Sequence, residues 1–248
     1  MDKISFIIPS RNNLKYLQQA VQSITDCYGN KHDIVLLDDA STDGTWQWCQ
    51  ETMEKDLHFQ AIQNTTGKRI GHTILYDRLV DEVAKHDICM IYHADMYLCP
   101  GALDAIEKHM YYEKLNNDNE SYITSVHKEK TIVSLTRIEP PLHPSGPEKV
   151  LRDFGVEPEE FDEDGLLNEV QELKVLHRND PGTTEGIFAP WSFWKKDFQE
   201  IGGHDPLYAP QSKEDSDIFN RFQLNGVKFI QTWEGFVYHM TCRGSRRN

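Results

Sequence analysis

The sequence predicts an α/β fold: a mainly parallel, Rossmann-like central sheet flanked by helices, with a smaller mixed part toward the carboxyl end. Two observations predict it. Short apolar runs alternate with segments of helical period over about the first hundred residues, the pattern of strands joined by crossover helices. Beyond about residue 112 the alternation loosens, and strands and helices no longer take turns. At 248 residues the chain is long enough to bury a core without disulfides or a structural metal.

The elements follow in order. Ile4 to Ile8 reads as a strand, and Leu14, Leu17, Val21 and Ile24 recur at helical spacing. Ile34 to Leu37 is a second strand, and a helix opens near Asp43. Phe59 to Ile62, a helix carrying Leu75, Leu79 and Val83, and the strand Ile88 to Tyr92 continue the alternation, and Pro100 suits the first turn of another helix. Thr131 to Leu135 reads as a strand. Pro140 to Asp164 is dense in proline and acid with little periodicity, so 139–185 reads as an insertion or long loop. Order returns with Phe188 to Trp194, a Gly202-Gly203 turn, a helix from Glu214 to Leu224, and strands at Val227 to Thr232 and Phe236 to His239. The acidic stretch Glu157 to Asp164 reads as a solvated face. The chain thus divides into a ligand-binding half, 1–112, and a second half, 113–248, that contains the insertion.

Composition narrows the chemistry. A formal charge of −14 repels nucleic acid and anionic membrane over most of the surface. A phosphate ligand would have to be held locally, by a cation or a few basic side chains. No apolar run approaches the length of a membrane span, and no signal peptide or anchor is expected. Cys27, Cys49, Cys89, Cys99 and Cys242 are scattered, odd in number and without a C-x-x-C pair. They suggest neither a disulfide framework nor a zinc cluster, and a reducing cytoplasm is the expected setting.

Chemistry-bearing residues gather where strands end. Asp38 and Asp39 directly follow the strand Ile34 to Leu37, where carboxylates point into the ligand crevice of an open α/β sheet. Helix capping accounts for Asp43 but leaves Asp38 and Asp39 unexplained, and a ligand role is expected for Asp39. His93 and Asp95, two apart after the strand ending at Tyr92, face the same side of an extended segment and can approach one ion. A carboxylate and an imidazole suit Mn²⁺ better than Mg²⁺, which prefers oxygen. A plain strand-end hydrogen bond is the competing reading of that pair. Glu214 and Asp215 open a helix; they can serve as a general base with a neighbour that positions the proton donor, or simply complement the helix dipole. His239, at a strand end, is a candidate third metal ligand. Arg243 and Arg246 near the end of the chain can clamp a diphosphate or belong to a solvated tail.

Together, Ile8-Pro9-Ser10-Arg11-Asn12, the segment Leu37 to Thr45, the triplet His93-Ala94-Asp95, and Gly202-Gly203-His204-Asp205 before Glu214-Asp215 resemble the family-2 glycosyltransferases of the GT-A fold. The resemblance runs in order from residue 4 to residue 240. It implies that residues 1–112 bind a nucleoside-diphosphate sugar and that 113–248 bind the acceptor and carry catalysis. Pro9, Ser10, Arg11 and Asp39 would line the nucleoside pocket, with Asp39 reading the base. Lys68, Arg69 and Ala94 would contact the donor, and Asp95 would be the metal-binding member of the family's Asp-x-Asp motif. Asp215 would be the general base of an inverting displacement, with Glu214 beside it and His239 a carboxyl-side metal ligand. Trp191 would form an aromatic wall against a sugar, although core packing explains it equally. The chain departs from the family pattern at His93, which stands where the motif has aspartate.

The implied reaction is a single displacement. An acceptor hydroxyl, of a glycan or another molecule, attacks the anomeric carbon of the donor, with uridine the default base on how often such enzymes use it. A retaining transferase on the same fold would share everything up to Asp95 and would not need Asp215 as a base. A non-catalytic nucleotide-sugar-binding module would have no use for the Glu214-Asp215 pair. A nucleotidyltransferase would carry a glycine-rich phosphate loop after the first strand, and Pro9-Ser10-Arg11-Asn12 has no glycine.

Overall fold

The computed structural model describes residues 3–115, 123–127, 130–142, 145–146, 149–179, 188–210 and 213–240, with the backbone alone at 30, 112–115 and 123–127. The elements run β1 (Ile4–Ser10), α1 (Leu14–Tyr28), β2 (Asp33–Asp38), α2 (Thr45–Met53), β3 (Phe59–Gln63), α3 (His72–Arg78), β4 (Ile88–Ile91), β5 (Met96–Leu98) and α4 (Ala102–Met110). They continue with β6 (Tyr111–Leu115), β7 (Ile123–His127), β8 (Thr131–Glu139), β9 (Lys149–Leu151), α5 (Glu163–Leu176), β10 (Trp191–Trp194), α6 (Lys195–Glu200), α7 (Glu214–Leu224) and β11 (Lys228–His239).

One sheet takes the order β3-β2-β1-β4-β10-β8-β11-β5, with β9 beside β8, and β6 and β7 form a separate antiparallel pair. The strands β3, β2, β1 and β4 are all parallel. β10 runs antiparallel to both β4 and β8, and β11 runs parallel to β8. The carboxyl ends of β1, β2, β4, β8 and β11 therefore share one edge. The sheet is mixed on its carboxyl side, as the loosening of the alternation beyond residue 112 predicts. β1 is central, and six of its seven residues are buried, because helices cover both faces of a parallel sheet.

Besides β5, β6, β7 and α6, which the sequence reading does not contain, three elements differ from it. The two strands expected at Val227 to Thr232 and Phe236 to His239 are one strand, β11, interrupted by an irregularity at Trp233 to Gly235 where the register against β8 shifts. Gly235 belongs there by necessity: a Cβ would lie 2.7 Å from Leu135 Cδ2 and 3.0 Å from Ala105 Cβ. The helix carrying Leu75, Leu79 and Val83 is α3 followed by a π-helical turn over Leu79–Val83. Residues 139–185 are not a loop throughout, since they contain β9 and the helix α5 of 14 residues. Leu166, Val170 and Leu173 form a buried stripe at helical spacing, which the surrounding acid and proline obscure. Asp162 caps α5 by accepting from Gly165 N. That stripe packs with Tyr16, Tyr97, Ile138, Phe236 and Tyr238 into a second small core beneath the end of β11. Among the described residues no helix is long and apolar enough to cross a membrane.

The loops after β1 and β2 are stitched together. Asn12 and Ala40 both adopt positive φ, 48° and 56°, a conformation that costs a non-glycine residue about 1–2 kcal/mol. Hydrogen bonds hold them: Asn12 N donates to Ser41 Oγ at 2.9 Å, and Thr42 N donates to Asn12 Oδ1 at 2.7 Å. Asp43 caps two helices with one carboxylate. Its Oδ2 accepts from Leu14 N at the start of α1, and its Oδ1 accepts from Thr45 N and Thr45 Oγ1 at the start of α2. Each lost cap costs about 1 kcal/mol, so Asp43→Ala is expected to remove about 2 kcal/mol from the unfolding free energy. Urea denaturation measures this, and a loss below about 0.5 kcal/mol would show that one of the caps is idle.

Candidate active site at the carboxyl edge of the sheet

Asp39, one residue past β2, is 2% exposed, and its carboxylate is fully engaged. Oδ1 accepts from Asn64 Nδ2 at 2.6 Å and from Ile70 N at 3.0 Å, and Oδ2 accepts from Gly71 N at 3.0 Å. Asn64 in turn donates to Lys68 O at 2.7 Å. The carboxylate thus fastens the whole turn between β3 and α3, which carries the exposed Lys68 and the half-buried Arg69. Gly71 closes the turn with φ +88°, and a Cβ there would lie 2.1 Å from Pro210 O, so only glycine fits.

Arg11 braces the neighbouring loop. Its Nη1 donates to the carbonyl of Asp39 and, at 3.2 Å, to that of Ala40. Ser10 is buried at the end of β1, and its Oγ has no hydrogen-bond partner among the described residues. A buried hydroxyl in that state, at the ligand edge of the sheet, is an open polar position. Pro9 pairs with Leu37 just inside the same edge. Asp38 turns inward: its Oδ1 accepts from Ser41 N at 3.2 Å and its Oδ2 from Gln63 at 3.4 Å.

A second cluster forms where β4 turns into β5. Met96 N donates to His93 O, and Met240 N donates to Asp95 O at 3.0 Å, which fixes the turn to the end of β11. The buried Ala94 lies within that turn. His93, Asp95 and His239 each present one ligand atom, all within 4.8 Å of one another. His239 Nε2 lies 3.3 Å from Asp95 Oδ1 and its Nδ1 lies 3.4 Å from Glu139 Oε2. Glu139, the last residue of β8, also receives Lys149 Nζ at 2.6 Å from β9. Burial opposes ionisation of Asp95, but His239 and His93 outweigh it and hold the carboxyl down at about 2. Burial and His239 push His93 down to about 3, so its imidazole keeps a free lone pair at neutral pH. Burial also opposes ionisation of Glu139, yet its hydrogen bonds with His239 and Lys149 bring it to about 2. An ionised carboxylate and a neutral imidazole, with a second imidazole oriented by a carboxylate, form a donor set that suits a divalent cation.

The acid pair sits on the first turn of α7. Glu214 Oε1 lies 2.5 Å from His72 Nε2. Burial, and then the charge of Glu214, raise the Asp215 carboxyl above its ordinary range, while His72, His204 and Arg137 pull it back. His72 and Arg137 also act on His93. Tyr76 joins the two clusters: burial, followed by the charges of Asp215, Glu214 and Asp95, pushes its phenol well up. The Gly202-Gly203 turn before α7 is braced by hydrogen bonds. Gly202 and Gly203 take φ of +81° and +68°. His204 is clamped by Asp77, with Nδ1 at 2.6 Å from Oδ1, and Arg221 donates to the carbonyls of Ile201 and Gly203.

Trp191 is 1% exposed and sits in the core against Phe193, Phe219 and Phe222. It offers no wall to a sugar, because its run Trp191–Trp194 is a fully buried interior strand. Arg243 and Arg246 lie outside the described residues. Sequence reasoning missed His72, Asn64, Asp77 and Glu139. Glu139 carried the one available signal, a carboxylate ending an apolar strand; the other three are ordinary polar residues in loops or helices.

Residues 5–127 match the family model described as Glycosyl transferase family 2. No curated protein shows significant sequence similarity to the chain. Among solved structures, the chain is similar to residues 1–349 of S. aureus TarS at 14% identity and TM-score 0.62, covering 97% of this chain and 61% of that one. It is similar to GalNAc-T7, solved with UDP, GalNAc and Mn²⁺, at 12% identity and TM-score 0.67, covering 96% of this chain and 44% of that one. The mannosyltransferase PcManGT from Pyrobaculum calidifontis, solved with GDP-Man and Mn²⁺, matches at 17% identity and TM-score 0.61, covering 97% of this chain and 57% of that one. The chain thus spans 44% to 61% of the length of these three structures. The family match, the mixed sheet and the near-full coverage of this chain by these folds agree: residues 5–127 match glycosyl transferase family 2, and the chain has the GT-A fold of these glycosyltransferases.

Proposed function

We propose that this enzyme transfers a sugar from a nucleoside-diphosphate sugar to an acceptor hydroxyl with inversion at the anomeric carbon, assisted by a divalent cation. The observation that carries this reading is the meeting, on one sheet edge, of the group His93, Asp95 and His239 with the acid pair Glu214-Asp215. Residues 1–112 supply the donor side and 113–248 the acceptor side.

In this reading the turn fastened by Asp39 forms the floor of the nucleoside pocket, with Asp39 toward the base, the hydroxyl of Ser10 open to the ligand, and Pro9, Arg11 and Ala94 shaping the walls. Lys68 and Arg69 lie on the turn's rim, toward the diphosphate, and Arg243 and Arg246 are proposed to join them. His93, Asp95 and His239 would hold the cation, with Mn²⁺ preferred to Mg²⁺ because two of three donors are nitrogen. Once bound, the cation supplies Lewis-acid stabilisation of the departing diphosphate. GalNAc-T7 and PcManGT were solved with Mn²⁺, which supports that choice. Asp215 accepts the proton of the attacking hydroxyl. Its raised proton affinity makes it a stronger base than an ordinary carboxylate, and an Asp215 with no proton to take would not need one. Uridine is the default base, since TarS and GalNAc-T7 were both solved with UDP. The cysteines at 27, 49, 89 and 99 are free thiols, which suits a reducing, cytoplasmic setting.

Thermal unfolding with Mn²⁺ and each of UDP, GDP, dTDP and CDP tests the donor site. One nucleotide at about 100 times its dissociation constant is expected to add about 2.7 kcal/mol, only with the metal, and Asp95→Ala is expected to abolish the gain. Should no nucleotide raise the transition, the donor-site reading falls. Asp215→Asn is expected to lower kcat by about 10²–10⁴-fold while leaving the nucleotide-dependent stabilisation intact. The base works when deprotonated, so transfer is expected to fail as pH falls through the raised Asp215 value, at a higher pH than an ordinary carboxyl would give. A near-normal rate in Asp215→Asn would point to a retaining route.

A further inference from the structure

His72 is the first residue of α3 and is absent from every motif that carries the family resemblance. Two contacts join its turn to the segment leading into α7. Gly71 packs directly against Pro210, and His72 Nε2 meets Glu214 Oε1 at 2.5 Å. Asp39 holds the same end of that turn through Ile70 N and Gly71 N, directly before His72. His72 is therefore a side chain through which this turn touches the acid pair.

We propose that His72 is a positioning residue for transfer: its imidazole holds Glu214 by a charge-assisted hydrogen bond and so fixes the place and the charged surroundings in which Asp215 receives the acceptor proton. The inference rests on Asp215 being the base. The groups that act on Asp215 are Glu214, His72, His204 and Arg137, with the Tyr76 phenol among the same carboxylates. His204 is already committed to Asp77. Arg137 lies over the Phe188 ring at 5.0 Å and beside Glu139. His72 has the acid pair itself as a hydrogen-bonded partner, through Glu214 Oε1. His72 lowers the proton affinity of Asp215 while Glu214 raises it, and the hydrogen bond holds these two opposing groups together beside it.

The test is the titration of the Asp215 carboxyl by ¹³C NMR in the metal-free and nucleotide-free protein, for the wild type, His72→Gln and Glu214→Gln, alongside the pH profile of transfer. Glutamine keeps a donor at position 72 and removes the charge. His72→Gln is expected to move the Asp215 midpoint up by about one pH unit, and Glu214→Gln to move it down by a similar amount. The acid limb of kcat/KM follows in each case, with the donor KM within about twofold of wild type. A purely structural role would lower kcat without moving the midpoint. An Asp215 midpoint in His72→Gln equal to that of a folded wild type overturns the proposal. So do midpoints that move in the same direction in both variants. If His72→Gln does not fold, the Glu214→Gln midpoint decides: a fall supports the pair, and no change overturns it. A midpoint that moves while the acid limb stays put upholds the His72–Glu214 unit and removes Asp215 as the base, so the two readings fail separately.

Discussion

The carboxylate of Asp39 is the contact on which the turn between β3 and α3 depends. A buried charge is costly unless its lone pairs are filled, and here Asn64, Ile70 and Gly71 fill them. In return, one side chain at the end of β2 sets the path of eight residues after β3, places Lys68 and Arg69 on the rim, and delivers His72 to the acid pair. Arg11, Asn12 and Ser41 then hold the backbone that carries Asp39. The strained φ at Asn12 and Ala40 survives because this network over-determines it.

The group His93, Asp95 and His239 depends on a different constraint, the sense of strand pairing. β4 and β8 run the same way because each is antiparallel to β10, and β11 follows β8. Their ends therefore bring His93, Glu139 and His239 to one edge although about 146 residues separate the first and last in sequence. The turn that bears Asp95 is tied to the same place by β5 pairing with β11, where His239 lies opposite Met96. Nothing in the cluster needs a loop of its own choosing.

Much of this fold is legible in the sequence, and the reason is physical. From β1 through β4 every buried strand is a short apolar run and most helices show a clean apolar stripe, so periodicity suffices. It fails where packing is non-local. The stripe Leu166, Val170 and Leu173 lies among acids and prolines, and the irregularity at Trp233 to Gly235 splits the apolar pattern of β11 into two apparent strands. For the site, titratable groups at strand ends drew attention to Asp39, Asp95 and His239, and the structure gathers the last two. Glu139, His72 and Asn64 act through partners far away in the chain, and no local pattern announces a partner. Trp191 shows the opposite failure: a large aromatic before a glycine turn reads as a ligand wall until its burial is known.

One consequence follows from where the strands of the cation cluster lie along the chain. The turn anchored by Asp39 is complete within the first 71 residues, whereas the cluster needs β11, the last described strand. During synthesis the turn held by Asp39 therefore has all of its parts long before His93, Asp95 and His239 can meet. No amino-terminal fragment that stops short of β11 can assemble His93, Asp95 and His239, however well its sheet forms. The parts of the Asp39 turn thus emerge early, and His239 joins His93 and Asp95 only once β11, the last described strand, pairs with β8.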